Sequence, residues 1–219
     1  MNFSRLIDIT QPLFHACPGN PAFPPMEVLN EMRVEEQGWN AERLNFFTHI
    51  GTHIDAPQHR KNNGKTIDTM PLNTFIGPAT AIDLYHKGAD EGIFPDDLKS
   101  YEKNMKKIVI LCTGWGKKRS NTDMYINHSP WLSKEAALWL MEHGICGVGI
   151  DHFSIGGANP DRVEAPHDIL FSAGIWILEG LLLPKEILNI RNLHIIALPL
   201  LLKGGSGAPA RAIAAECIT

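Results

Sequence analysis

The sequence predicts an α/β fold that is rich in strands and has few helices. Short apolar runs recur along the chain, and two of them, Lys107–Thr113 and Gly147–Ile150, are typical of buried strands. Helix signals are fewer, and the clearest is Lys134–His143, which follows a good N-cap residue, Ser133. Because no repeat or linker interrupts the chain, we expect residues 1–219 to form a single domain.

The N-terminal half is expected to alternate strands with long connections. Gln11–Pro25 is rich in proline and glycine and predicts a loop, and loops of this length in compact domains are usually functional or disordered. Pro95–Glu102 predicts a short helix. Alternating or aromatic-rich patterns predict strands at Leu6–Thr10, Met26–Glu36, Glu42–His49 and Thr80–Leu84.

The C-terminal half contains the pattern of a β–loop–α–β unit over residues 107–150, in which the polar stretch 117–130 is the expected loop. A second short helix is expected to begin within Ala165–Phe171, after a loop that covers His152–Pro166. The remaining predicted elements are strands at His194–Leu200 and Ala210–Glu216, joined by a glycine-rich turn at Gly204–Pro209.

The composition excludes several classes of function. Hydrophobic residues make up 44% of the chain, and its formal net charge of −4 gives no general attraction to nucleic acid or to anionic membranes. The first residues contain no signal-peptide core, and the longest apolar runs are too short to span a bilayer. We therefore expect a cytoplasmic protein whose widely spaced cysteines are reduced thiols: Cys17, Cys112, Cys146 and Cys217.

The densest chemical signal is the set His49, His53, Asp55 and His59. It places three imidazoles and one carboxylate within eleven residues, and these are ligand types that Zn²⁺, Mn²⁺ and Fe²⁺ accept. An extended backbone would point all four side chains to one face, whereas a helix would pair those that lie four apart. The glycine and the proline within the stretch disfavour an uninterrupted element, so we expect a strand end that runs into a turn at a metal site.

Two further candidate ligands, His167 and Glu179, lie downstream. Glu179 ends an apolar, strand-like stretch, where a carboxylate is costly without a partner, although a strand end at the surface accounts for it equally well. Asp151 closes the strand Gly147–Ile150, and a functional role and a capping role in a turn are both open for it. His152 is the one isolated histidine that we retain as a candidate.

The pattern HxGTHxDxPxH, which runs from His49 to His59, resembles the signature of the cyclase family of metal-dependent hydrolases. That family includes bacterial kynurenine formamidase and isatin hydrolase. The resemblance implies a swivelling β/β/α fold and a homodimer or homotetramer. It covers nearly the whole chain and includes the stretches Asp8–Pro12, Gly77–Pro78, Thr113–Trp115 and Gly205–Arg211.

The resemblance also implies a set of metal ligands. His49, His53 and Asp55 match the ligands of a first ion, and His167 and Glu179 complete a second site. Asp55 and Glu179 each offer two oxygens, so they are the residues able to bridge two ions. The implied cofactor is one or two divalent cations, with Zn²⁺ favoured and Mn²⁺ or Fe²⁺ as alternatives.

Other family positions carry roles outside the ligand set. His59 matches the catalytic histidine rather than a ligand. Asp151 and Ser154 lie in a stretch that resembles the family pattern GIDxxS and are expected to hold the ligands in place from behind. Kynurenine formamidases carry a substrate-stacking aromatic residue in the N-terminal loop, and this chain has Cys17 there, with Phe14 and Phe23 as nearby substitutes.

The expected reaction is hydrolysis of the amide C–N bond of a small molecule, with N-formylkynurenine, which would give kynurenine and formate, as the leading substrate. Hydroxide bound to the cations would attack a polarised carbonyl carbon, and His59 would pass a proton to the leaving amine. Two alternatives stay open. One is a ring-opening hydrolase of a cyclic amide or lactone, as in isatin hydrolase, and the other is a metal- or small-molecule-binding module without catalysis.

Overall fold

The computed structural model describes residues 2–218, and short strands dominate that range. The strands are β1 Phe3–Asp8, β2 Glu27–Met32, β3 Ala41–Asn45, β4 His53–Asp55, β5 Ile76–Asp83, β6 Gly92–Ile93, β7 Ile108–Cys112, β8 Trp131–Leu132, β9 Gly147–Ile150, β10 Trp176–Glu179, β11 Leu193–Pro199 and β12 Gly207–Cys217. The α-helices are α1 Val34–Gln37, α2 Pro95–Leu98, α3 Asp123–Asn127, α4 Lys134–Glu142 and α5 Glu164–Ser172. None of these helices is long and apolar enough to cross a membrane.

Seven of the strands form a closed, barrel-like sheet. Its order is β4-β12-β11-β5-β7-β9-β10, and β10 pairs with β4 to close the ring. β1 pairs with β12 as an additional strand, and two small pairs, β2 with β3 and β6 with β8, lie apart from the ring. The strand-rich α/β architecture with few helices agrees with the fold expected from the sequence.

The parallel part of the ring is formed by β5, β7, β9 and β10. Ile108–Cys112 is buried along its whole length, as expected for a strand covered on both faces. The chain passes from β7 to β9 through α4, and Oγ of Ser133 accepts a hydrogen bond of 3.0 Å from the backbone N–H of Ala136. The predicted β–loop–α–β unit and the predicted helix cap are both confirmed.

Two apolar cores lie on opposite sides of the sheet. Alternate residues of β7 face opposite ways, so Ile110 belongs to a core shared with Trp176 and Ile195. Val109 belongs to the other core, which α4 and α5 cover with side chains such as Leu140. The two cores hold the parallel strands in place. They thereby position the strand ends, which carry the polar residues.

Several segments differ from the sequence expectation. The predicted strand Met26–Glu36 ends at Met32, and α1 follows it before Gly38 takes a left-handed φ of 85°. The predicted loop 117–130 contains α3, whose first turn is capped because the hydroxyl of Thr122 accepts a hydrogen bond from the N–H of Tyr125. The predicted helix Pro95–Glu102 is α2 followed by a 3₁₀ segment, Lys99–Asn104.

Candidate metal centre

The site is built where β4 and β10 run side by side. In their antiparallel register Glu179 lies directly opposite His53, so the two side chains stand on the same face of the sheet. Nδ1 of His53 donates to the carbonyl oxygen of Gly51 at 3.1 Å, which turns Nε2 of His53 inward. That nitrogen lies 3.3 Å from Oδ1 of Asp55 and 3.5 Å from Oε2 of Glu179.

α5 brings His167 to the same point. Nδ1 of His167 donates to the carbonyl oxygen of Val163 at 2.8 Å, one turn earlier in the helix. Nε2 of His167 therefore faces the two carboxylates, 3.2 Å from Oε1 of Glu179 and 4.0 Å from Oδ2 of Asp55. The backbone N–H of Ile155 also donates to Oε1 of Glu179 at 2.7 Å, which fixes the orientation of this buried carboxylate.

Asp55 is the centre of the cluster. Oδ1 of Asp55 lies 2.6 Å from Nδ1 of His49, whereas its other oxygen, Oδ2, is buried and has no hydrogen-bond partner among the described residues. A buried carboxylate oxygen without a donor is costly, and a cation satisfies it. The residues present therefore fit a divalent metal ion, because carboxylate oxygens and inward-facing imidazole nitrogens converge here.

His49 and His59 complete one side of the cluster. His49 precedes β4, and a positive φ of 59° at Gly51 turns the chain between them. His59 ends a 3₁₀ turn, Pro57–His59, and its ring centroid lies 4.0 Å from that of His49. Two ligand-like groups therefore share Asp55: one with His49 and His59, the other with His53 and Glu179. Ligand atoms of His59, His49 and Asp55, one from each residue, lie within 4.8 Å of one another, so the geometry permits His59 as a ligand too.

The charges in the cluster are strongly coupled. Burial by itself lowers the pKa of His53, but hydrogen bonds to Asp55 and Glu179 outweigh burial and raise this pKa to about 10. Burial also opposes ionisation of Asp55, yet hydrogen bonds from His49 and His53 hold the pKa of its carboxyl well below the usual range. The centre is consequently a place where positive charge is stabilised.

His59 has the opposite electrostatic character. Burial lowers its pKa below the ordinary value for histidine, and this effect outweighs the nearby carboxylates. Its imidazole is therefore neutral near pH 7, with a lone pair free to accept a proton. A neutral imidazole beside a cation site is the form that general base catalysis requires.

Ser206 also reaches this site, although the sequence carries only a weak signal for it. Its hydroxyl lies 3.1 Å from Nε2 of His49, and its carbonyl oxygen accepts a hydrogen bond from the N–H of Ala56. The contact arises because Gly207 of β12 pairs with Asp55 of β4. A long-range strand pairing of this kind has no local signature in the sequence.

Two adjoining hollows lie over the cluster. The metal-site cavity, about 160 Å³, is lined by the candidate ligands together with Asn20, Phe23, Arg60 and Ser154. The apolar recess, about 150 Å³, lies under the 16–25 loop, and Phe47 forms part of its wall. The two hollows share Asn20, Phe23 and His49, so a small molecule that enters one is in reach of the other.

Of the three residues expected to contact substrate, two line the hollows and one does not. Phe23 lines both hollows and stacks on Phe47 with ring centroids 4.8 Å apart, and Cys17 lines the apolar recess. Phe14, by contrast, is not among the residues that line either hollow. A tight turn, in which the N–H of Cys17 donates to the carbonyl of Phe14, leaves the Phe14 ring exposed, 5.9 Å from the guanidinium carbon of Arg119.

Of the two residues expected to hold the ligands in place, Asp151 and Ser154, only one lines the metal-site cavity. Ser154 lines the metal-site cavity. Asp151 is fully buried outside it, where its Oδ1 accepts a hydrogen bond of 2.5 Å from the hydroxyl of Thr113, and burial raises its pKa. His152 is buried too, and burial lowers its pKa to about 4 while Nε2 donates to the carbonyl of Tyr125. His152 therefore has a structural place and no access to the cavity.

Comparison with known proteins identifies relatives of this chain. A family model described as "Putative cyclase" matches residues 7–156. A kynurenine formamidase of Bacillus mycoides (strain KBAB4) is 32% identical over 215 residues, which cover 97% of this chain and 98% of the relative. The structure of a predicted metal-dependent hydrolase from Bacillus stearothermophilus is 28% identical, with a TM-score of 0.79 and coverage of 97% and 98%.

A further structural relative is isatin hydrolase A from Labrenzia aggregata bound to benzyl benzoate. It is 25% identical, with a TM-score of 0.84, and the match covers 96% of this chain and 93% of that one. The family model spans more than half of the chain, and the match to each of these relatives covers 96% or 97% of it. The likeness inferred from the HxGTHxDxPxH pattern is thereby confirmed. The chain belongs to the cyclase family and is an amidohydrolase.

Proposed function

We propose that this protein hydrolyses the amide C–N bond of an N-formyl arylamine, with N-formylkynurenine as the leading substrate, and that it does so with one or two divalent cations. The observation that carries the proposal is the buried Oδ2 of Asp55, which has no hydrogen-bond partner within residues 2–218 and lies 4.0 Å from an inward-facing nitrogen of His167. Zn²⁺ is the favoured ion, because imidazole and carboxylate ligands suit it, and Mn²⁺ or Fe²⁺ are alternatives.

The ligand assignment proposed for a first ion is His49, His53 and Asp55. His167 and Glu179 would hold a second ion, and Oε1 of Glu179 lies 3.2 Å from Nε2 of His167. When bound, a divalent cation lowers the pKa of a water molecule and polarises the carbonyl group of the substrate. The remaining tasks, orienting the substrate and moving a proton, belong to the side chains of this chain.

Proton transfer during hydrolysis is assigned to His59. Its imidazole is neutral near pH 7, because burial lowers its pKa, and it lies on the wall of the metal-site cavity. A neutral imidazole accepts a proton from the attacking water and returns it to the nitrogen of the leaving amine. The turn that begins at Pro57 presents the ring of His59 beside His49 and His167, with ring centroids 4.0 Å and 6.2 Å away.

The substrate ring is assigned to the apolar recess. Phe23 and Phe47 give the recess an aromatic wall that meets the cavity at His49, so a formamide attached to an aryl ring fits both hollows at once. Cys17 takes the place of the aromatic residue expected in this loop. The name of the relative that is 32% identical, kynurenine formamidase, supports the same substrate class.

A second candidate function is ring opening of a cyclic amide such as isatin. The likeness to isatin hydrolase A from Labrenzia aggregata, with a TM-score of 0.84, favours it. A flat bicyclic lactam would use the same recess and the same proton transfer. Under either function we propose a homodimer or homotetramer, and the exposed apolar side chains of the β2–β3 region, Leu29, Trp39 and Leu44, suit such an interface.

The test is hydrolysis by protein that has been stripped with a chelator and reloaded with Zn²⁺. N-formylkynurenine and isatin are offered in parallel, and Asp55→Asn protein, treated identically, serves as the control. Turnover of the formamide that depends on added metal and is absent from Asp55→Asn supports the proposal. Turnover of isatin alone favours the second candidate, and turnover of neither substrate by metal-loaded protein refutes both assignments.

A further inference from the structure

Arg60 joins two elements that carry separate parts of the site. It directly follows His59 and is the C-cap residue of the 3₁₀ turn Pro57–His59. Its guanidinium group makes a two-pronged contact with Glu164, with Nη1 at 3.1 Å from Oε1 and Nη2 at 2.9 Å from Oε2. Its Nε donates to Oδ1 of Asp168 at 3.2 Å. All three nitrogens of the guanidinium group are therefore engaged with carboxylates of α5.

The two carboxylates flank His167 on the first turns of α5. Glu164 and Asp168 lie four residues apart, so they stand on one face of the helix and repel each other unless a cation lies between them. The helix begins after Val163 without a side-chain cap. The contact with Arg60 is accordingly a side-chain anchor of the turn from which His167 reaches the cluster.

We infer that Arg60 is a positioning residue, which fixes the turn that carries His59 against the turn of α5 that carries His167. The inference rests on the proposed function, in which these two histidines act on the same substrate. Their ring centroids lie 6.2 Å apart, and shifts of about 1 Å in such geometry cost about 100-fold in rate. A planar, forked cation is suited to this task, because it holds two carboxylates in one orientation.

Arg60 is neither a substrate contact nor a simple stabiliser of the fold. Although Arg60 lines the metal-site cavity, its donors point to Glu164 and Asp168. Its side chain is 31% exposed, and Glu164 and Asp168 are more exposed still, so these ion pairs contribute little to overall stability. Loss of Arg60 should therefore appear in metal affinity and kcat rather than in unfolding.

The first experiment compares Arg60→Ala with the wild type by competition for Zn²⁺ against a chromophoric chelator, and by kcat and KM for the formamide. We expect metal affinity and kcat each to fall about 10- to 100-fold. KM should change less than about twofold, because the substrate ring lies in the apolar recess, away from α5. The matched control is Arg5→Ala. It removes an ion pair remote from the site, in which Nη2 of Arg5 lies 2.7 Å from Oε2 of Glu186.

The second experiment removes the partners instead. Glu164→Gln combined with Asp168→Asn should lower metal affinity and kcat as Arg60→Ala does, and adding Arg60→Ala to that pair should lower them no further. Unchanged metal affinity and kcat in Arg60→Ala would overturn the inference, and so would a further drop in the triple variant. If the wild type hydrolysed no amide, the proposed function would fail, and the metal-affinity measurements would still decide the inference about Arg60.

Discussion

Glu179 faces His53 across the β4–β10 pair, and Oε2 of Glu179 lies 3.5 Å from Nε2 of His53. One sheet pairing thus brings together two candidate ligands that are far apart in the sequence. The second oxygen of Glu179 lies 3.2 Å from Nε2 of His167, which arrives from α5. The carboxylate consequently links the motif-bearing strand to the helix, and the predictions below depend on that link.

His53 and His59 should respond differently to removal. His53→Ala removes a nitrogen that faces both carboxylates, so the protein should lose bound Zn²⁺ together with activity. His59→Ala should retain Zn²⁺ and lose about 100- to 10,000-fold in kcat, because it removes only the proton carrier. Metal content by elemental analysis and turnover of the formamide check both variants. Loss of metal from His59→Ala would instead make His59 a ligand, as its place beside His49 and Asp55 permits.

Metal binding should depend on pH through His53. Hydrogen bonds to Asp55 and Glu179 overcome burial and raise the pKa of His53 from 6.5 to about 10. In chelator-treated protein its imidazolium therefore stabilises the fold fully below pH 6.5, and this contribution is lost as the pH rises toward 10. A cation takes the place of that proton, so metal affinity rises with pH over the same window.

The measurement is the shift in Tm that Zn²⁺ produces relative to a chelator, at about pH 6 and at about pH 8.5. The shift should be larger at the higher pH. A larger shift at the lower pH would mean that protonation of His53 does not compete with the cation. An unrelated zinc protein measured in the same buffers controls for changes in free metal.

Phe23 should govern substrate affinity. Phe23→Ala removes the aromatic wall shared by both hollows, and we expect KM to rise about 10-fold or more with a smaller change in kcat. Phe14→Ala is the matched control, since this exposed ring lies outside both hollows. Steady-state kinetics with the formamide check the pair. Equal effects of the two substitutions would contradict the placement of the substrate ring.

Gly207 should be intolerant of a side chain. A Cβ at this position would lie 2.7 Å from Cε1 of His49 and 2.7 Å from the carbonyl oxygen of Ile54. Gly207→Ala should therefore displace His49 and lower stability by about 1–3 kcal/mol, with a loss of metal affinity. Gly88→Ala offers a control, because a Cβ there meets no atom closer than 3.8 Å. Equal Tm and metal affinity in the two variants would contradict this packing.

Much of the site was predictable because one short segment carries most of its chemistry. His53 and Asp55 alternate on a strand, and the expected turn after them is the Pro57–His59 segment. The roles of His167 and Glu179 came from family resemblance alone, since the register that joins β10 to β4 is set by packing across the whole sheet.

Other features of the site could not be predicted from local patterns. Ser206 reaches His49 through the pairing of β12 with β4, and Arg60 reaches Glu164 only because α5 packs beside its turn. Phe14 was expected near the substrate because it lies close to Cys17 in sequence. A tight turn between them directs its ring away, and turn geometry of that kind depends on the positive φ of 56° at Ala16.

The most direct test of the metal centre is a crystal structure of the protein loaded with Zn²⁺, with anomalous difference data collected at the zinc edge. We predict a peak within about 2.0–2.2 Å of Asp55 and of the inward-facing nitrogen of His53, with Oδ2 of Asp55 coordinated rather than unpartnered. A second peak between His167 and Glu179 would establish two ions. Absence of anomalous density at Asp55 in fully loaded crystals would contradict the account.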